Sequence, residues 1–224
     1  RPPQRAAAPQ PDAGVRVVFT EAAFREVADA PSRVIVDIDT DLATFKDEGA
    51  FEAIVPEPKH VSMQLYTSGT TGAPKGVLLT HAGQIWAAET LAAHRRLVDS
   101  DRALLSAPFF HKNAIVAMKT GLLVGSTLLV LPKFDIEATV AAIRDHGATM
   151  LTGVPTMMAM LLQRRDLLKD VDTSGVRVIS MGSAPASDTL LADISATFPS
   201  AEVHMNYGTT EGGPIMTGWY SPDG

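Results

Sequence analysis

The sequence predicts an α/β fold in which parallel-sheet layers are covered by helices, and three observations carry that prediction. Short β-branched runs recur along the chain, helix-forming stretches separate them, and capping residues stand before two of those stretches. Apolar strands joined through helices pair in parallel and bury both faces of their sheet.

The elements follow in order. Residues 1–14 (RPPQRAAAPQPDAG) read as a flexible or extended lead-in, rich in proline and alanine and without the continuous apolar segment of a secretion signal. VRVVFT (15–20) is a strand, EAAFREVADA is helix-like, and RVIVDID (33–39) is a second strand. The polar, proline-punctuated segment 39–59 links two strand–helix layers. Strands are predicted again at MQLYT (63–67), TLLVL (127–131), ATMLTG (148–153) and VRVIS (176–180). Helices are predicted near 81–97, 135–146, 155–168 and 186–197, with Thr80 and Ser187 as N-caps of the first and last. There is no internal repeat.

Composition narrows the function. The 224 residues carry a net charge of -6, which gives a nucleic-acid partner no electrostatic support. The absence of cysteine excludes disulfides, thiolate metal sites and a cysteine nucleophile, and is compatible with a reducing, cytoplasmic setting. No apolar run is long enough for a transmembrane segment. The histidines at 60, 81, 94, 146 and 204 show no metal-ligand spacing. Met157, Met158 and Met160 read as core or pocket lining.

The strongest chemical signal is YTSGTTGAPKG at 66–76, directly after an apolar strand. Gly69, Gly72 and Gly76 permit close backbone approach, which suits a loop that wraps phosphates. Thr67, Ser68, Thr70 and Thr71 offer hydroxyl donors, and Lys75 can neutralise a phosphate charge. Pro74 before the lysine and Gly76 after it distinguish the loop from a Walker A sequence.

This string resembles the phosphate-binding signature of the adenylate-forming superfamily, which includes acyl-CoA synthetases, peptide-synthetase adenylation domains and beetle luciferases. Three further segments match in that superfamily's order. APFFH (107–111) is similar to its aromatic-plus-histidine segment beside the acyl pocket, GSAP (182–185) to its adenine-side loop, and NYGTTEGG (206–213) to its Tyr-Gly-x-Thr-Glu motif. The resemblance runs from about residue 15 to the end, so the fold it implies is part of the large N-terminal domain of an adenylate-forming enzyme.

The roles below are what the resemblance implies, and each has a chemical reason. Thr67, Ser68, Gly69, Thr70, Thr71, Gly72 and Lys75 would hold the ATP phosphates. Gly182, Ser183, Ala184 and Pro185, with Asn206, Tyr207, Gly208, Thr209 and Thr210, would complete the nucleotide site. The ring of Tyr207 offers adenine a stacking surface, and Thr210 can donate to the α-phosphate. Glu211 supplies the hard oxygen that Mg²⁺ prefers, with Thr67 as its partner at the metal. His111 would stand beside the acid. Lys75, Thr210 and Glu211 are the catalytic candidates. The relatives often carry a glycine three residues after that histidine, where this chain has Ala114.

The resemblance further implies ATP-dependent activation of a carboxylic acid, a fatty acid foremost, to acyl-AMP, followed by thioester formation with coenzyme A. ATP, Mg²⁺, coenzyme A and a small-molecule acid are the implied ligands, and a homo-oligomer is compatible with the sequence. An acyl-AMP ligase that loads a carrier protein shares the same motifs, and a luciferase-like oxygenase shares them more distantly. The superfamily's Thr-Gly-Asp motif and the lysine of its small C-terminal domain have no counterpart in these residues. The expectation is therefore a portion of a longer enzyme, which alone acts as a nucleotide-binding module without turnover.

Overall fold

The computed structural model describes residues 13–47, 49–67, 74–109 and 111–220, the stretch 213–220 by its backbone alone. Ser68, Gly69, Thr70, Thr71, Gly72 and Phe110 lie outside the described residues. The chain forms two compact units, one of Arg1–Glu57 with Ser68–Gly76 and one of Pro58–Thr67 with Val77–Gly224.

In the first unit, β1 (Val17–Thr20) pairs in parallel with β2 (Val34–Asp37) in the register Val17↔Val34. Between them lies the short helix α1 (Arg25–Ala28), whose Ala28 is buried. The segment read as a linker starts instead with a helical turn, α2 (Leu42–Phe45). Its N-cap, Asp41, accepts from the backbone N–H of Asp37 at 3.1 Å and from Arg25 Nη1 at 3.2 Å. Those bonds hold the Asp41 carboxyl below the usual carboxylate range.

The second unit begins with β3 (Val61–Thr67), which pairs with β4 (Lys75–Thr80). The helix α3 (His81–His94) follows, and Thr80 caps it by accepting from the Gly83 N–H at 3.2 Å. The helix stops three residues earlier than its sequence suggests. Arg96 takes a left-handed conformation (φ 48°), Arg96 N–H donates to the Ala93 carbonyl and Leu97 N–H to that of Ala92. That pair of bonds is a Schellman terminus, normally built on glycine.

Next come β5 (Arg102–Leu105), α4 (Lys112–Val124), β6 (Thr127–Val130), α5 (Ile136–Arg144) and β7 (Met150–Gly153). The single helix expected over 155–168 is broken at Arg164 into α6 (Pro155–Gln163) and α7 (Arg165–Leu168). The chain continues through β8 (Val178–Gly182), α8 (Asp188–Thr197) and β9 (Glu202–Thr209) to β10 (Gly213–Tyr220). Ser187 caps α8 at the Leu190 N–H, 3.2 Å, as its position predicts.

The sheet has the order β10-β9-β8-β7-β5-β6. Its strands run parallel except β10, which turns back along β9 as a hairpin. Alternation along the strands separates its faces. Leu104, Leu151, Ile179 and Val203 lie in register on one face and form the main core with α5, α6 and α8, around the fully buried Phe198 and Ile194. Ala103, Met150 and Val178 lie on the other face. Towards the strand ends that second face turns polar, through Thr152, Ser180, His204 and Asn206. Met158 belongs to the core at 3% exposure, whereas Met160 is exposed.

Candidate nucleotide and acid site

In this sheet β6 lies on one side of β5 and β7 on the other, so the strand order reverses between β5 and β7. Crevices at such points, outside the carboxyl ends of the strands, are where open α/β sheets bind ligands. A cleft of about 40 Å³ lies beside that point, lined by Thr152 and Gly153 of β7, Ser180 and Gly182 of β8 and Asn206 of β9, with Asn113, Val116 and Ala117 of α4 and Arg95.

Four sets of hydrogen bonds assemble the motif segments around this cleft. Asn206 donates from Nδ2 to Ser180 Oγ at 2.7 Å and to the Met181 carbonyl at 2.9 Å. Arg95 donates from Nη2 to Asn206 Oδ1 at 3.0 Å. Asn113 Nδ2 donates to Ser183 Oγ at 2.9 Å, joining the start of α4 to the GSAP loop. Lys112 Nζ donates to the carbonyls of Thr209 and Thr210, joining the same helix to the turn after β9.

The GSAP loop is tight. A Cβ on Gly182 would stand 3.1 Å from the Asn206 carbonyl oxygen, so glycine lets β8 and β9 approach at the cleft. Ser183 follows at φ 70°, a left-handed conformation that a serine adopts only where its surroundings enforce it. Ala184 and Pro185 continue the loop at the surface.

Tyr207, 66% exposed, presents its ring beyond the cleft, and Gly208 and Thr209 complete β9. Thr209 Oγ1 accepts from the Gly212 N–H at 3.0 Å and shapes the turn that holds Thr210 and Glu211. Burial pulls the Lys112 ammonium below the usual lysine range, while the Glu211 carboxylate opposes that shift. His111 is the N-cap residue of α4, exposed, and makes no side-chain capping bond. Thr67 ends β3 half-buried, and among the described residues no hydrogen bond links it to Glu211. Lys75, exposed, opens β4 and belongs to the first unit. Of the sequence-based candidates, Ser183 and Gly182 with Asn206, and Thr209 with Thr210, are drawn together.

Three residues of the site escape a reading of the motifs. Lys112 and Asn113 follow the histidine directly, but their polarity marks only a helix start. Arg95 sits in HRRL, which reads as the solvated basic end of a helix, yet it is 4% exposed. Burial lowers its pKa to about 10, so it remains a cation at neutral pH. Its neighbour His204, fully buried, is held down to about 4 by burial and then by the charge of Arg95.

The α3 terminus that places Arg95 is itself anchored. Arg177 donates from Nη1 to the Arg95 carbonyl at 3.3 Å and from Nη2 to that of Arg96 at 3.0 Å. The same guanidinium grips the buried Asp101, with Nε to Oδ1 at 2.7 Å. Cations suit helix C-termini, where carbonyls lack partners.

The sequence profile of the AMP-binding enzyme family matches residues 2–224. The 4-coumarate–CoA ligase 1 of Arabidopsis thaliana is 32% identical over 179 residues, covering 78% of this chain and 32% of the ligase. The 4-coumarate–CoA ligase of Vanilla planifolia is 33% identical over 178 residues, covering 77% of this chain and 32% of the ligase. The chain thus spans about a third of the length of the curated relatives it matches. Among solved structures, the inhibitor-bound N-terminal domain of FACL13 from Mycobacterium tuberculosis superposes with a TM-score of 0.77 at 28% identity, over 88% of this chain and 51% of that one. The o-succinylbenzoate coenzyme A synthetase of Bacillus subtilis in complex with ATP and magnesium ion gives 0.75 at 26% identity, over 95% of this chain and 43% of that one.

Proposed function

We propose, for a chain that belongs to the AMP-binding enzyme family, that its full-length protein activates a carboxylic acid with ATP and transfers the acyl group to coenzyme A. The observation that carries this reading is that hydrogen bonds join the α4 start to the GSAP loop and to the Tyr-Gly-x-Thr-Glu turn, beside a cleft lined by Asn113, Gly182 and Asn206. The names of the coumarate–CoA ligases support coenzyme A as the acceptor.

The acid carboxylate attacks the α-phosphorus of ATP, giving acyl-AMP and pyrophosphate, and the thiol of coenzyme A then displaces AMP. Tyr207 stacks on adenine, Thr210 donates to the α-phosphate, and Lys112 keeps the turn bearing both Thr210 and Glu211 in place. Lys75, with Thr67 and the hydroxyls of 68–71, holds the outer phosphates. The residues fit Mg²⁺, which would be held by the hard oxygens of Glu211 and Thr67 together with the nucleotide. Among the described residues no group of three or more His, Cys, Asp or Glu forms a protein-only metal site. When bound, the ion offsets charge on the phosphates as they separate. No helix among the described residues is long and apolar enough to cross a membrane, and a cytoplasmic enzyme is the setting we infer.

The test is acid-dependent ATP–pyrophosphate exchange by the full-length protein against a panel of aryl, fatty and short polar acids. Exchange with at least one acid, followed by CoA thioester formation, is expected. Exchange without thioester, but with acylation of a carrier protein, would identify the other acceptor. No exchange with any acid would overturn the reading. The 224 residues alone, about a third of such a ligase, are expected to bind nucleotide weakly and to show no exchange.

A further inference from the structure

We propose that Arg95 determines which acid is activated: the acid carries a second carboxylate, and the Arg95 guanidinium receives it in the cleft. This rests on the acid-activating reading above and names the class of acid.

Arg95 is an arginine without a counter-ion among the described residues. Its side chain lines the cleft at 4% exposure, and its one hydrogen bond there, from Nη2, goes to the neutral amide of Asn206. Its Nε is buried with no hydrogen-bond partner. The nearby carboxylates are engaged elsewhere. Asp101 accepts from Arg177, from the Val98 N–H and from Thr149 Oγ1. Glu202 faces Arg96 and His204. Lys112, next to the cleft residue Asn113 in sequence, adds positive charge nearby, and its own carboxylate neighbour is Glu211.

A buried charge is costly unless an opposite charge and hydrogen bonds meet it. Here the guanidinium that lacks a counter-ion belongs to a residue lining a cleft, so an anionic ligand is what completes it. A guanidinium binds a carboxylate through two parallel bonds. The space agrees with that ligand. A cleft of about 40 Å³ holds roughly three water-sized groups, the size of a carboxylate rather than of an alkyl tail. The lining offers such a group partners besides Arg95, because Asn113, Thr152 and Ser180 are polar, while Val116 and Ala117 are the apolar side chains. A hydrocarbon chain pushed against Arg95 would leave its donors unmet, a mismatch that sites built on hydrogen bonds reject strongly.

The experiment compares short linear dicarboxylic acids, malonate through suberate, with monocarboxylic acids of matched length, using ATP–pyrophosphate exchange by the full-length protein. A dicarboxylate is expected to have the highest kcat/KM. In Arg95→Met the ratio of kcat/KM for that dicarboxylate to its matched monocarboxylate should fall about a hundredfold, as when one partner of a buried charge pair is removed. Arg95→Lys, which keeps the charge and loses the fork, should retain the preference with a smaller margin. Monocarboxylates preferred by the wild-type protein would overturn the proposal while leaving the acid-activating function standing. An equal loss for both acids in Arg95→Met would also overturn it, showing that Arg95 anchors Asn206 or meets the reacting carboxylate. If no acid supports exchange, the functional reading fails first. Calorimetric titration of the dicarboxylates onto wild-type and Arg95→Met protein then decides the subsite, and equal heats overturn it.

Discussion

The ammonium of Lys112 donates to the main-chain carbonyl of Thr210 at 3.1 Å, so the first residue of α4 holds the turn that follows β9. The bond crosses 98 positions of sequence and ends on backbone, so it fixes the turn whatever side chains the turn carries. Replacing Lys112 by methionine should release residues 209–212. Amide exchange there should become about tenfold faster, matching the loss of a bond worth about 1.5 kcal/mol. In the full-length enzyme KM for ATP should rise while the unfolding midpoint stays within a few degrees. Unchanged exchange at 209–212 would show that the turn holds itself.

Lys75→Ala in the full-length enzyme should lower kcat/KM for ATP about tenfold to a hundredfold, the loss of one charge-assisted bond of about 1.5–3 kcal/mol. Steady-state kinetics with ATP varied will check it, and an unaltered value removes Lys75 from the site.

Glu211→Gln keeps the size of the side chain and removes its charge. The Mg²⁺ concentration for half-maximal activity should rise severalfold, with circular dichroism unchanged. A Mg²⁺ titration that overlays the wild type assigns the metal elsewhere.

Much of the sheet was legible because its buried strands are β-branched runs. β7 and β8 lie within two residues of where ATMLTG and VRVIS place them. β5 was not legible: RALL is four residues of helix-forming type, and its parallel neighbours β6 and β7 make it a strand. β9, EVHMNYGT, carries His, Asn and Gly, which strands disfavour; it doubles as a wall of the cleft. The helix α4 hides in KNAIVAMKTGLLV, where valine, threonine and glycine weaken the helical signal. The motifs gave Asn206 and Ser183 their place, but not the partners Arg95 and Asn113, which depend on where α3 and α4 end and begin in space.

His204 makes stability depend on acid. Its folded-state pKa, about 4, lies below the ordinary 6.5, so the unfolded chain binds more protons between these values. Stability should therefore fall as pH drops from about 6.5 towards 4, by about 2–3 kcal/mol in total from this residue. Urea unfolding of the wild type and of His204→Gln across that range will test it, the variant being expected to show the flatter profile.

Asp101 acts in the same direction at lower pH. Burial pushes its carboxyl up, but the bonds from Arg177, Val98 and Thr149 outweigh burial and hold it below the usual range. Its contribution is present above the unfolded-state pKa and lost as pH falls through the folded one. Asp101→Asn should cost about 2–3 kcal/mol at neutral pH, less than a fully buried pair because Arg177 is a third exposed. The loss should appear as a lower urea midpoint at unchanged slope.

The bond from Arg95 to Asn206 spans 111 positions of the chain. Between its ends lie β5 to β8, with β6 and β7 on opposite sides of β5. A growing polypeptide therefore exposes the Arg95 guanidinium to water until β9 arrives to close over it, and non-local pairings of this kind form slowly. The position of that charge, unlike the charge itself, therefore depends on a partner distant in sequence. A partly folded chain has the same arginine but not the bond to Asn206 that orients it.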